Sequence, residues 1–225
     1  MRLNVMLAGS LGLGLLATQA FAVPIVWTDW TSATVGATGS AAGTLSPVAG
    51  PITVSYSGDV AFAQLGTGTN YWTEGSPAPY TGNAYVDNAP TASEMIALQL
   101  AGTNTVTFSS PVENLVMAIV SQGRPNLPVT YDFDTPFTVL SEGLGYWGDG
   151  SYTLGGGDSL IGSEFHGVIR FTGPVSSLSW DVNPNEYWHG MTFGMPSNVP
   201  EPGSMLLLGP ILLGYAMVRR RRKQV

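Results

Sequence analysis

The chain has 225 residues, with 29 Gly, 16 Pro, no Cys, only 10% charged residues and a formal net charge of −7. The absence of cysteine excludes a disulfide scaffold, a Cys-ligated metal and thiol catalysis, and a chain so poor in Lys and Arg is no nucleic-acid binder, because such a protein must neutralise phosphates. The charge is also unevenly placed: Arg2 and Arg219 to Lys223 are six of the eight basic residues, so residues 23–198 hold two basic residues against fourteen carboxylates, a net −12.

In chain order, Arg2 precedes a Gly/Leu/Ala run from Val5 to Ala17, and Ala20-Phe21-Ala22 closes it with small residues. This pattern predicts an export signal over 1–22, carried by the Sec machinery and cleaved by signal peptidase after Ala22. The apolar run is shorter than the roughly 20 residues that span a bilayer, which argues against an N-terminal anchor.

From Val23 to Asn198 no window shows helical spacing of apolar residues, whereas alternation bounded by Gly, Pro, Asn and Ser recurs throughout. Strands are predicted at Ile25 to Trp30, Ile52 to Tyr56, Ile96 to Leu100, Thr105 to Phe108, Val129 to Asp134, Phe137 to Leu140, Ser151 to Leu154, Gly167 to Phe171, Ser177 to Val182 and Tyr187 to Phe193. Leu115 to Val120 is apolar on both faces and predicts a central strand covered on both sides. Thr31 to Gly50 and Gly66 to Pro90 are expected to be long loops. Short strands and turn signals at this spacing predict an all-β domain over 23–198, a two-sheet β-sandwich or jelly roll. Ser and Thr fill the outward positions where other proteins place charge, and six Trp, eight Phe and nine Tyr supply a core.

At the other end, Val199-Pro200-Glu201-Pro202-Gly203 leads into fifteen mostly apolar residues, Ser204 to Val218, and then the basic block Arg219, Arg220, Arg221, Arg222 and Lys223. Fifteen helical residues reach about 22 Å, short of a core of about 30 Å, with snorkelling arginines making up part of the deficit. The basic block would stay cytoplasmic, leaving the body of the protein across the membrane. The prolines around Glu201 hold the chain extended and present the carboxylate.

This motif, span and charge order resembles the sorting signal of PEP-CTERM proteins and covers about the last 27 positions. The resemblance implies Pro200, Glu201 and Pro202 as a motif recognised and cleaved by an integral-membrane exosortase. It also implies Ser204 to Val218 as a transient membrane span and residues 219–223 as the stop. It further implies a Gram-negative exporter, passage through the inner membrane to the cell surface or extracellular matrix, and association with exopolysaccharide and biofilm. A permanently tail-anchored surface protein is the competing reading of the same segment.

The catalytic inventory is thin. His166 and His189 are the two histidines, both followed by Gly, and there is neither a Gly-x-Ser-x-Gly elbow nor a His-Glu-x-x-His helix. Both histidines read as structural hydrogen-bonding groups, and a shared site on neighbouring strands is the alternative. Asp132 and Asp134 alternate on one strand face. They are candidates for a glycosidase carboxylate pair or, with Asp149 or Asp158, for Ca²⁺, against the plainer reading of a solvated polar face. Three Tyr-Trp doublets, Tyr71-Trp72, Tyr146-Trp147 and Tyr187-Trp188, offer flat apolar rings of the kind that stack on sugars. One member of each doublet is expected to enter the core. Tyr71, Trp72 and Tyr80, in the Gly/Pro-rich loop, are the expected exposed glycan-binding rings. The chain therefore reads as a non-enzymatic exported binding or structural protein without a required cofactor, with a secreted glycan hydrolase as the alternative.

Overall fold

The structure is a computed structural model that describes residues 22–197. The sorting motif, span and basic block, and residues 1–21 of the expected export signal, lie outside the described residues.

Fifteen strands follow one another: β1 (Ile25–Trp27), β2 (Asp29–Thr34), β3 (Gly36–Leu45), β4 (Ile52–Val60), β5 (Phe62–Gln64), β6 (Met95–Leu98), β7 (Gly102–Glu113), β8 (Val116–Gln122), β9 (Val129–Phe133), β10 (Phe137–Glu142), β11 (Ser151–Leu154), β12 (Ser159–Ser163), β13 (Phe165–Phe171), β14 (Pro174–Asn183) and β15 (His189–Pro196). They form two antiparallel sheets packed as a sandwich. One has eight strands in the order β11-β12-β9-β14-β7-β4-β3-β2. The other has seven, in the order β10-β13-β8-β15-β6-β5, with β1 also on β15.

The alternation read from the sequence sets which face is buried. Ile52, Val54 and Tyr56 of β4, Val129, Tyr131 and Phe133 of β9, and Leu178, Trp180 and Val182 of β14 all enter the core between the sheets. Their Ser, Thr and Asp neighbours face outward. Inside, Trp180 lies 6.1 Å from the Tyr56 ring and 5.9 Å from Phe193 of the opposite sheet. The tilted and edge-on arrangements are those that aromatic quadrupoles favour.

One expected loop is not a loop. Within Thr31 to Gly50, β2 and β3 form an antiparallel hairpin at the edge of the eight-stranded sheet. Its inward positions include Ala41 and Gly43, so it lacks the hydropathy contrast by which strands are recognised. The small residues are needed there: a Cβ on Gly43 would lie 2.6 Å from the Asp29 carbonyl oxygen and 2.7 Å from Thr28 Cγ2.

The stretch Gly66 to Pro90 is a loop as expected, and it covers the outer face of the seven-stranded sheet. Trp72, Tyr80 and Val86 pack there with Val116, Ala118 and Val120 of β8, forming a second hydrophobic cluster. The opposite face of β8 carries Met117 and Ile119 into the sandwich core, so this strand is covered on both sides. Buried backbone groups of so long a loop need partners. Glu74 accepts hydrogen bonds from the Tyr80 and Thr81 N–H groups at 2.8 and 2.7 Å. Asn83 accepts from the Tyr85 and Val86 N–H groups and donates to Tyr80 O and to Ser141 Oγ on β10. The loop is therefore a fixed second layer.

Candidate functional site

Beside this second layer, rings from four separate segments meet at the surface. Tyr71 comes from the long loop, Tyr146 and Trp147 from the β10–β11 connection, Trp188 from the segment before β15, and Phe62 from β5. Tyr71 and Trp147 stack nearly parallel, with centroids 5.1 Å apart and planes at 15°. Trp188 stands edge-on to both, at 5.0 Å from Tyr71 and 4.8 Å from Trp147. Tyr146 is edge-on to Tyr71 and Trp147, and Phe62 closes the group against Trp188 at 5.0 Å. Tyr146 and Trp147 are each 45% exposed, and Tyr187 beside Trp188 is 82% exposed. Tyr71, Trp188 and Phe62 are half-buried and rest on the second cluster.

The local cause of the exposure is a tight turn. Gly145 and Gly148 exchange two backbone hydrogen bonds, of 2.9 and 3.3 Å, which leaves Tyr146-Trp147 at the tip. Turn tips favour Gly, Asn and Asp, so two large aromatics there run against local preference and are held by tertiary contacts. Leu144 N–H donates to Pro77 O, and Gly75 N–H donates to Leu144 O, joining the turn to the long loop.

Beneath the turn lies a polar cluster. The His166 ring is fully buried and packs against Gly145, where a Cβ would come within 2.4 Å of its Cγ and Nδ1. Ser121 N–H donates to His166 Nδ1 at 3.3 Å, Ser121 Oγ donates to Glu164 Oε1, and Glu164 Oε1 lies 3.5 Å from His166 Nε2. Partial burial of Glu164 works to raise its carboxyl, but the nearby His166 imidazole and the hydrogen bond from Ser121 outweigh it and hold the group below its ordinary range. Ser121 and Glu164 both adopt the left-handed backbone region, with φ of 60° and 65°, a conformation that costs a non-Gly residue on the order of 1 kcal/mol or more. Because Ser121 Oγ donates to the carboxylate, and His166 Nδ1 takes a backbone N–H, the hydroxyl is not paired with an imidazole base as nucleophilic catalysis requires.

His189 points the other way. Its ring lies 5.3 Å from Tyr131 of the opposite sheet, and its Nδ1 is 2.9 Å from Glu186 Oε2, which also accepts the Gly123 N–H. The two histidines are separated by β8, on opposite faces of the sheet and with different carboxylates, so they do not share a site.

Of the three rings expected to be exposed, the structure brings only Tyr71 to the surface. Trp72 and Tyr80 are 2% and 0% exposed and lie edge-on to each other at 5.3 Å inside the second cluster. Burial, and then the charge of Glu74, push the Tyr80 hydroxyl well above its ordinary pKa. The loop has its own interior, and in the Tyr71-Trp72 doublet it is Trp72 that enters it. Tyr146, Trp147 and Trp188 were visible in sequence as doublets, but only the tertiary arrangement brings them beside Tyr71. Phe62 carried no sequence signal.

Asp132 and Asp134 are exposed on the outer face of the eight-stranded sheet, with Asp181 directly opposite Asp132. Asp132 accepts from Ser159 Oγ, Asp134 from Thr135 Oγ1, and Asp181 from Thr103 Oγ1. Among the described residues no three His, Asp or Glu side chains are grouped to hold a metal ion. The trough they line with Thr103 and Ser179 is about 240 Å³ and shallow.

Comparison with protein-family models, with curated proteins and with solved structures found no match.

Proposed function

We propose that this chain is an exported, non-enzymatic protein of the cell surface or extracellular matrix that holds exopolysaccharide through the surface aromatic platform. The observation that carries the reading is the convergence of Tyr71, Tyr146, Trp147 and Trp188, from three separate loops, into one cluster at the surface, with Tyr146 and Trp147 exposed on half-buried Tyr71 and Trp188. Exposed aromatic clusters on a rigid β-scaffold suit sugars, whose apolar faces stack on rings while their hydroxyls seek polar partners at the edge. A single exposed Trp would need no explanation, but a stacked group built on a turn of Tyr-Trp at its tip does. The tail supports the destination: Pro200-Glu201-Pro202, the span and Arg219 to Lys223 have the order of an exosortase signal.

Two measurements test the reading. Retention of the exported protein on its producer's polysaccharide should fall by about tenfold or more in Trp147→Ala, the scale of a central aromatic anchor, and undiminished retention would refute it. The intact mass of the exported protein should lack the basic residues 219–223, and a mass that includes them would refute sorting by cleavage.

A further inference from the structure

Resting on that reading of the platform, we infer that its hold on sugar is switched by pH: protonation of His166 breaks the hydrogen bond that ties the base of the Tyr146-Trp147 turn to the end of β8, so the rings bind at neutral pH and release on acidification. The chain's two histidines each stand beneath one segment of the platform. His166 packs against Gly145 at the base of the turn. The side chains of Glu186 and His189, 2.9 Å apart, bracket Tyr187 and Trp188. Both arrangements are anchored where β8 ends: Ser121 N–H donates to His166 Nδ1 at 3.3 Å, and Gly123 N–H donates to Glu186 Oε2 at 2.9 Å. Ser121 and Gly123 are both in the left-handed region, with φ of 60° and 70°. The turn that carries Trp147 and the segment that carries Trp188 are thus joined through one short stretch of backbone, Ser121 to Gly123.

The partners of His166 make opposite demands on the ring. A ring nitrogen that accepts a hydrogen bond presents a lone pair, so Nδ1 is unprotonated and the neutral ring carries its hydrogen on Nε2. Nε2 is buried and lies 3.5 Å from Glu164 Oε1, too far for a good hydrogen bond. Ser121 therefore requires the neutral ring, whereas the Glu164 carboxylate favours the charged one. A second proton sets N–H against N–H at Nδ1 and breaks the Ser121 bond, while the new charge draws Nε2 toward Glu164 and away from β8. Glu164 stays ionised in mild acid, because its carboxyl is held below its ordinary range. Of the other elements against the ring, β8 presents Ser121 and the turn presents Gly145. Glu142 on β10 stands opposite Gly167, and Asp149 follows the turn; neither forms a salt bridge with His166. At His189 the Nδ1–H donates to Glu186, an arrangement that a proton on Nε2 leaves in place. Trp188 is thus held while the turn beside it is released, and histidine is the side chain whose charge changes in this range of pH.

The test follows near-ultraviolet circular dichroism and retention on the producer's polysaccharide from pH 8 to pH 5, for the exported protein and its variants His166→Asn, Glu164→Gln and Trp147→Ala. Asparagine keeps an acceptor oxygen near the place of Nδ1 and takes up no proton. Wild type should lose the dichroism of the Tyr71–Trp147 stack and about fivefold in retention on reaching pH 5, the scale of one hydrogen bond. His166→Asn should show neither loss. Glu164→Gln should move both to lower pH, because the carboxylate that favours the charged ring is gone. A wild-type profile flat in either readout, or one that His166→Asn reproduces, overturns the switch, and the platform reading stands if Trp147→Ala abolishes retention at pH 8. Undiminished retention of Trp147→Ala at pH 8 overturns the platform reading and the switch with it. Should His166→Asn fail to fold, Glu164→Gln decides alone: a midpoint that stays in place or moves to higher pH overturns the switch.

Discussion

Replacing Gly145 by Ala puts one methyl group where the structure has no room for it. The new Cβ would lie 2.4 Å from Cγ and Nδ1 and 2.9 Å from Cβ of His166, distances at which one partner must shift. The imidazole cannot move aside cheaply, because it is fully buried, takes the Ser121 N–H at Nδ1 and faces Glu164 at Nε2. The strain must therefore go into the turn that carries Tyr146 and Trp147. Overpacking of this kind costs about 1 to 3 kcal/mol, which for a domain of this size lowers Tm by roughly 2 to 12 °C. Urea unfolding followed by tryptophan fluorescence gives the free energy, and the near-ultraviolet circular dichroism of the native state reports whether the Tyr71–Trp147 stack has been disturbed. Combining Gly145→Ala with His166→Ala removes the two ring atoms at 2.4 Å and leaves only the His166 Cβ contact at 2.9 Å, so the double variant should lose less than the sum of the two singles. A Gly145→Ala protein as stable as wild type, or strictly additive costs, would refute the idea that His166 supports the turn.

Trp72→Ala should destabilise by about 3 to 5 kcal/mol, the range for deleting a buried large aromatic, while Trp147→Ala, at a half-exposed ring, should cost far less; urea midpoints compare them directly. For Glu164 the folded-state pKa is depressed, so its contribution is present above its unfolded value, near 4.3, and is lost as pH falls through the folded pKa. The stability gap between wild type and Glu164→Gln should therefore be open at pH 7 and narrow as pH falls below the unfolded value, and a gap that widens or stays constant on acidification would refute this. Asp181 stands opposite Asp132 across the β9–β14 ladder, an arrangement in which like charges repel. Asp181→Asn should raise the urea midpoint at low salt, and the gain should vanish in 1 M NaCl, where the Debye length is about 3 Å.

The strands that sequence made legible are those whose inward positions are large. Tyr131 and Phe133 on β9, or Trp180 and Val182 on β14, alternate with Thr, Ser or Asp strongly enough to set both the element and its buried face. The β2–β3 hairpin escaped because, between Trp30 at its start and Leu45 at its end, its inward side chains are as small as its outward ones. Ala41 and Gly43 pair with Ala33 and Trp30 across the ladder, and their selection is for backbone closeness, which hydropathy does not record. For the aromatic doublets, alternation states that neighbouring side chains diverge. It does not state which of the two meets protein, since that depends on a layer contributed by residues far away in sequence.

One part of that layer was implied without being named. Val116, Ala118 and Val120 point away from the sandwich core, so β8 required apolar material over the outer face of its sheet. Among the segments outside the strands, Gly66 to Pro90 holds Tyr71, Trp72, Tyr80 and Tyr85, the aromatic surface needed to supply such a cover. Burying Trp72 and Tyr80 in this role leaves Tyr71 at the margin of the cover, next to the Gly145–Gly148 turn. The platform is thus the rim of a second core, and its shape depends on the loop, the turn and the Ser121–Glu164–His166 cluster together. Two non-glycine residues held at positive φ lie in that cluster, which places backbone strain directly beneath the exposed rings. Strain of this kind persists where surrounding contacts over-determine a conformation, and here those contacts run through His166 to Gly145, at the base of the turn that carries Tyr146 and Trp147.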